Sequence, residues 1–223
     1  MHNWDWDSTA ARQAFEKALY LEPNNSTVLG HFANFNMVIK KFHITESLTD
    51  KMVWLNPNNR HLHYYLLLYA LQGKSRKASQ TLNKINETEL YNWVQFWIIG
   101  SYYLFTGDLQ NAALYYEKSI DGANIEGLPL LAYAYAKSGE REKARSILNQ
   151  LNEMAKTRYI SPFYFAIVYM GLDDFDTSIK YLKKAREERD FRLHWIGLYV
   201  SERIYEPLKS NPEYQEIISN LWN

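Results

Sequence analysis

Two prolines, Pro23 and Pro57, stand 34 positions apart, and each closes a near-copy of one phrase. The copies read Ala18-Leu19-Tyr20-Leu21-Glu22-Pro23-Asn24-Asn25 and Met52-Val53-Trp54-Leu55-Asn56-Pro57-Asn58-Asn59. A repeat of this length holds one helical hairpin, too little to bury its own apolar faces, so successive copies must stack on one another. Function is then to be sought on a surface rather than in an interior pocket.

The rest of the chain keeps the period. Gly73, Gly107 and Gly139, with Asp173 in the equivalent place, recur at intervals of 34, 32 and 34 residues. Each is expected to end one helix and turn the chain at positive φ. The fullest copy is Phe96-x2-Ile99-Gly100-x2-Tyr103, the turn at Gly107, then Ala112-x3-Tyr116. Leu128-x2-Leu131-Ala132-x2-Tyr135 with Ala144-x3-Leu148 follows, and then Pro162-x2-Phe165-Ala166-x2-Tyr169 with Ser178-x3-Leu182-x2-Ala185. Upstream stand Leu62-x2-Tyr65-Leu66-x2-Tyr69 with Ala78-x3-Leu82, and a degenerate Leu29-x2-Phe32-Ala33-x2-Asn36 with Thr45 and Thr49 where Ala and a large apolar residue are usual. Ala33, Gly100, Ala132 and Ala166 in first helices, and Ala78, Ala112 and Ala144 in second helices, fall where two antiparallel helices cross. Only a small side chain lets the backbones approach there. Large residues three or four positions away fill the flanking space and leave each hairpin apolar on two sides.

This order of residues resembles the tetratricopeptide repeat pattern, W-x2-L-G-x2-Y, then A-x3-F, then P. The resemblance implies an all-α fold, a right-handed α-solenoid superhelix of antiparallel helix pairs. One repeat domain is expected over 1–223: a lone second helix in 1–24, repeats near 25–58, 59–91, 92–124, 125–158 and 159–190, and a capping segment in 191–223. The lone helix, Asp7 to Leu21, is expected to expose Ala11, Ala14, Phe15 and Ala18, with Trp4 and Trp6 beside them, because its first-helix partner is absent from the chain.

Composition excludes several functions. Lys plus Arg equals Asp plus Glu at 25 each, so no net field draws nucleic acid or an anionic membrane. Cysteine is absent, which removes disulfides, thiolate nucleophiles and cysteine zinc sites together. No apolar run approaches the roughly 18–20 residues that span a bilayer, and His2-Asn3-Trp4-Asp5 is no secretory start, so a cytoplasmic protein is expected. His61 and His63 point about 200° apart on a helix, unlike a metal-binding i, i+4 pair. His2, His31, His43 and His194 are isolated. No G-x-S-x-G, glycine-rich phosphate loop or H-E-x-x-H occurs. Glu187, Glu188 and Asp190, with Lys183 and Lys184 upstream, read as a solvated helix face carrying weak ion pairs. Asn24-Asn25-Ser26, Asn25-Ser26-Thr27 and Asn86-Glu87-Thr88 match the glycosylation pattern but read as capping sequences. No enzyme, cofactor or metal is expected.

A more specific resemblance lies in the last third. Ala136-Lys137-Ser138-Gly139-Glu140-Arg141-Glu142-Lys143-Ala144-Arg145, Lys156-Thr157-Arg158-Tyr159-Ile160-Ser161-Pro162-Phe163 and Tyr181-Leu182-Lys183-Lys184-Ala185-Arg186-Glu187-Glu188-Arg189-Asp190 resemble the closing repeats of a tetratricopeptide arm in bacterial multidomain regulators. The ending Tyr205-Glu206-Pro207-Leu208-Lys209-Ser210-Asn211-Pro212-Glu213-Tyr214 resembles the same arm, and Trp4-Asp5-Trp6-Asp7 its opening. In that family the arm follows a winged-helix DNA-binding domain, a nucleotide cyclase or a protein kinase. Arg203 stands where the family has Pro, and residues 26–57 match poorly.

The repeat resemblance also implies where a partner would bind. First helices line a concave groove in such arrays, and carrying their groove positions onto this chain gives Asn34, Met37, Arg60, His63, Leu67, Trp97, Ser101, Phe105, Tyr133, Lys137, Phe163 and Ile167. The set is mainly apolar and aromatic, suited to a helix or extended segment anchored by rings. Asn34, Arg60 and His63 form part of the set that clamps a C-terminal carboxylate in chaperone-type arrays. Trp97, Phe105 and Phe163 fit either contact residues or core, since aromatics at helical spacing serve both ends. The expected role is a protein-interaction scaffold that takes a protein or peptide segment in the groove. Two alternatives are a regulatory or self-association arm, working as a homodimer or through its own N-terminal effector domain, and a small-molecule sensor.

Overall fold

The computed structural model describes residues 7–56, 61–85, 93–120, 124–197, 203–219 and 221, and among these the chain is an α-solenoid of helix pairs without a strand. The elements are α1 (Ser8–Leu21), α2 (Ser26–Val38), α3 (Phe42–Leu55), α4 (Leu62–Leu71), α5 (Ser75–Leu82), α6 (Trp93–Thr106), α7 (Leu109–Ser119), α8 (Leu128–Lys137), α9 (Arg141–Ala155), α10 (Pro162–Gly171), α11 (Phe175–Glu187) and α12 (Pro212–Ile218). Two 3₁₀ turns, Phe191–Gly197 and Glu206–Leu208, lie between α11 and α12.

Local sequence sets where these helices start and stop. Asp7, Asn25, Asp108, Ser161, Asp174 and Asn211 each accept a backbone N–H at a helix start, meeting donors that have no partner within the helix. Pro162 and Pro212 occupy the first turn, where a missing N–H costs nothing. Gly73, Gly107, Gly139 and Asp173 all have positive φ, as the spacing predicts. Lys40 and Arg189 take the same conformation, at φ of 57° and 52°, in places where no glycine marks the turn. At all six the next residue's N–H reaches back to the carbonyl five residues before it: Lys41 to Asn36, Lys74 to Tyr69, Asp108 to Tyr103, Glu140 to Tyr135, Asp174 to Tyr169 and Asp190 to Ala185, at 2.8–3.0 Å. One closure, the Schellman motif, therefore ends six helices whatever residue occupies the turn.

Two compact units divide the chain. The first comprises residues 1–91 with 197–199 and 221–223. Here α2 crosses α3 over Leu29, Ala33 and Met52, all fully buried, with Leu19, Leu48, Leu55 and Tyr64 packed around them. Burial of each large side chain of this kind stabilises by about 1.5–3 kcal/mol. The unusual threonines belong to the same crossing. Thr45 donates to the Ala33 carbonyl at 3.2 Å, and Thr49 donates to the Thr45 carbonyl at 2.8 Å, so two buried hydroxyls are satisfied without opening the contact. Helix α1 differs from expectation. Ala11 is buried, and Phe15 stacks on Phe32 at a ring distance of 5.1 Å and lies tilted against Phe35 at 5.7 Å. Those residues serve the contact with α2, Ala18 is half-buried and Ala14 alone of the four is exposed; Trp4 and Trp6 lie outside the described residues.

Residues 92–196 and 200–220 form the second unit. In its first pair a Cβ on Gly100 would sit 2.9 Å from the ring of Tyr116, so the absence of a side chain lets that fully buried ring lie across the crossing. Ser178 donates to the Ala166 carbonyl at 2.9 Å, which repeats the Thr45 arrangement twelve residues after the corresponding alanine. Successive pairs are equally close: a Cβ on Gly171 of α10 would approach the Tyr133 Cα of α8 to 2.8 Å. Asp173 ties the same two pairs at the surface, pairing with Lys137 and, at 3.0 Å, with Arg141. Those two cations hold its carboxyl below the usual carboxylate range, the hydrogen bond from Lys137 first.

Candidate functional site

The face made by first helices α6, α8 and α10 in the second unit is where the sequence places Trp97, Ser101, Phe105, Tyr133, Lys137, Phe163 and Ile167. Ser101, Tyr133, Phe163 and Ile167 are buried, and Ser101 receives the Tyr116 hydroxyl at 3.1 Å, inside its own pair. Trp97, Phe105 and Lys137 are half-buried, and the Lys137 ammonium is engaged by Asp173. In the first unit, Met37, His63 and Leu67 are buried and Asn34 is half-buried. Arg60 lies outside the described residues. Phe163 has the packing of a core residue, with 1% of its surface exposed.

Residues 203–208 reach this face from downstream. Tyr205 is fully buried, its ring centroid 6.3 Å from that of Phe163 and 5.8 Å from that of Tyr214, on which it stacks. Ile204 and Leu208 beside it are buried as well. Arg203 donates from its guanidinium to the Phe105 carbonyl at the end of α6, one of the last carbonyls of a helix and at the negative end of its dipole. Arg203 also bears on Tyr133. Burial raises that phenol above its ordinary value, and the nearby guanidinium partly opposes the rise. Burial pushes the Tyr205 phenol well above its ordinary range, as desolvation of a phenolate must. Among the described residues the Tyr205 hydroxyl has no hydrogen-bond partner.

A second cluster fixes the start of this segment. Arg192 donates to Glu126 at 2.9 Å and to the Tyr164 hydroxyl at 2.6 Å, and its guanidinium lies 5.0 Å from the Tyr164 ring centroid. Burial works against the Arg192 charge, and Tyr164 and Glu126 more than offset it. Asp190 accepts from the Ser161 hydroxyl and the Arg192 backbone. With 5% of its surface exposed, it is a buried anchor and no part of a solvated face. Lys184 does pair with Glu188, at 3.8 Å, but Lys183 crosses to Glu213 of α12 at 2.8 Å. Nothing local marks Arg192, because its partner Glu126 stands 66 residues upstream. A polar cavity of about 200 Å³ opens beside it, lined by Asn124, Glu126, Arg158, Tyr159, Ser161 and Tyr164.

Among the described residues, no three His, Asp or Glu side chains gather as metal ligands would, and no helix is long and apolar enough to cross a membrane. Residues 96–121, which run from α6 through α7, match the tetratricopeptide repeat family. No curated protein sequence matches the chain.

Proposed function

We propose that the chain is a protein-interaction scaffold, and that the face of α6, α8 and α10 is its peptide-holding surface. The tetratricopeptide repeat match within this unit supports an interaction role. The observation that carries the reading is Tyr205: a segment from elsewhere in the chain lies on the face, anchored by one buried ring and tied at Arg203 to a helix end. A face that accommodates this segment has the shape and chemistry to accommodate another. Rigid helix pairs hold Phe105, Tyr133 and Phe163 in place beforehand, so little ordering entropy is lost on binding. Trp97 and Phe105, half-buried on α6, are the rings within reach of an incoming segment.

The test is selection of peptides from a displayed random library on the full chain. Enriched sequences should carry an aromatic residue, and Phe105→Ser should weaken their binding at least tenfold while helical content by circular dichroism stays unchanged. Selection that enriches nothing, or peptides indifferent to Phe105→Ser and Trp97→Ser alike, would end this reading.

A further inference from the structure

We infer that Arg203-Ile204-Tyr205 is a resident ligand that competes with partners for the face of α6, α8 and α10, and that the partner it imitates carries a basic residue two positions before an aromatic one. The inference rests on the scaffold reading above and adds the recognition pattern and its regulation. Three observations bear it. The aromatic member fills a site between Phe163 and Tyr214 that excludes solvent. The basic member reaches the Phe105 carbonyl, where the α6 dipole favours positive charge. The third is a flaw in the fit: the Tyr205 hydroxyl is buried with no hydrogen-bond partner among the described residues.

A buried hydroxyl gives up its bonds to water and here regains none, a cost that phenylalanine would not carry. The resident segment is therefore held less tightly than its burial alone would allow. Release restores the hydroxyl to water, which favours the open form by that same amount. Because the segment is tethered, a free partner competes with a high local concentration of the resident. The partner's apparent affinity falls by the fraction of molecules in which the face is open. Changes that loosen the segment should strengthen partner binding, and changes that tighten it should do the reverse.

The probe is a fluorescent synthetic peptide with the sequence of residues 203–209, titrated by anisotropy into the full chain. Wild type should bind weakly. Arg203→Ala, which removes the tie at the end of α6 from a side chain at the surface, should bind the peptide at least tenfold more tightly. Tyr205→Phe, which removes the orphaned hydroxyl and keeps the ring, should bind it more weakly than wild type. Peptides lacking the arginine or the tyrosine should lose binding to the Arg203→Ala chain. Equal affinity in wild type, Arg203→Ala and Tyr205→Phe overturns the inference, as does tighter binding by Tyr205→Phe. That failure is distinct from failure of the scaffold reading: library peptides that bind all three chains equally would leave the scaffold standing and remove the resident competitor.

Discussion

Second helices of the two units can use one register for opposite surfaces. Nine residues after the small residue at the helix crossing, the first unit carries Tyr20 and Trp54, 85% and 77% exposed. The second carries Glu153 and Glu187 at the same position, also exposed. Individual buried faces differ in the opposite sense. The crossing of α2 and α3 buries two threonine hydroxyls and Asn36, whereas α10 buries Phe163, Phe165, Ile167, Val168 and Met170. Repetition thus fixes the helix closures and crossings, and leaves the rest of each surface free to diverge. Rings at the surface in one unit and in the core of the other share a residue type without sharing an energetic role.

Truncating one ring in each unit tests this division most severely. Phe163→Ala should cost about 3–5 kcal/mol by chemical denaturation, since the buried ring leaves a cavity. Trp54→Ala should stay within about 0.5 kcal/mol, as surface changes do. Comparable losses would show that Trp54 is packed in solution and would erase the contrast. A smaller effect is expected at the glycines. Gly171→Ala drives a methyl group toward the Tyr133 backbone, which cannot step aside, and should cost about 1–3 kcal/mol. At Gly30 the nearest atom is the Tyr64 hydroxyl, 2.5 Å away at the far end of a movable side chain. The helical gain of alanine, roughly 0.5–1 kcal/mol, should then leave Gly30→Ala near neutral. A reversed order would mean that the first unit is the more tightly packed of the two.

The smallest effect concerns what the units share. In each, a tyrosine on a first helix donates to a carboxylate on the preceding second helix, Tyr65 to Asp50 and Tyr135 to Glu117. Burial and the carboxylate raise both phenols, Tyr135 to about 12. A raised phenol contributes stability that is present below its unfolded value near 10 and is lost as pH climbs through the folded value, about 12 for Tyr135. Tyr135→Phe should therefore lower stability modestly at neutral pH, where that contribution is present, and flatten the alkaline fall in stability above about pH 10. Tyr65→Phe should act in the same sense. An alkaline limb unchanged by either substitution would remove the tie between successive pairs from the account.

Much of the architecture could be read from the chain because its determinants are local. Gly107 and the small residues at 100 and 112 act within one hairpin, as Ala132 does in the next, and a period of 32 or 34 residues exposes them. Lys40 shows the limit of that reading: it turns the chain as Gly73 does, but through hydrogen bonds that no residue type announces. The state of the groove was beyond local reading for a different reason. Phe163 lies against Tyr205, 42 residues downstream, and no local pattern announces that contact. Asp190 carries no local sign of its burial for the same reason, its hydroxyl partner Ser161 being 29 residues away.

Arg203 meets Phe105 across 98 residues of sequence, and that separation imposes an order in time. Helix pairs close through near neighbours, while residues 203–208 have no site until α6, α8 and α10 stand side by side. Synthesis at roughly 5–20 residues per second delivers residues 203–208 after those three helices. Each newly made molecule is thus expected to pass through seconds in which the stack is assembled and its face is bare. A partner present at the ribosome would meet no competitor, and one arriving later would have to displace a resident.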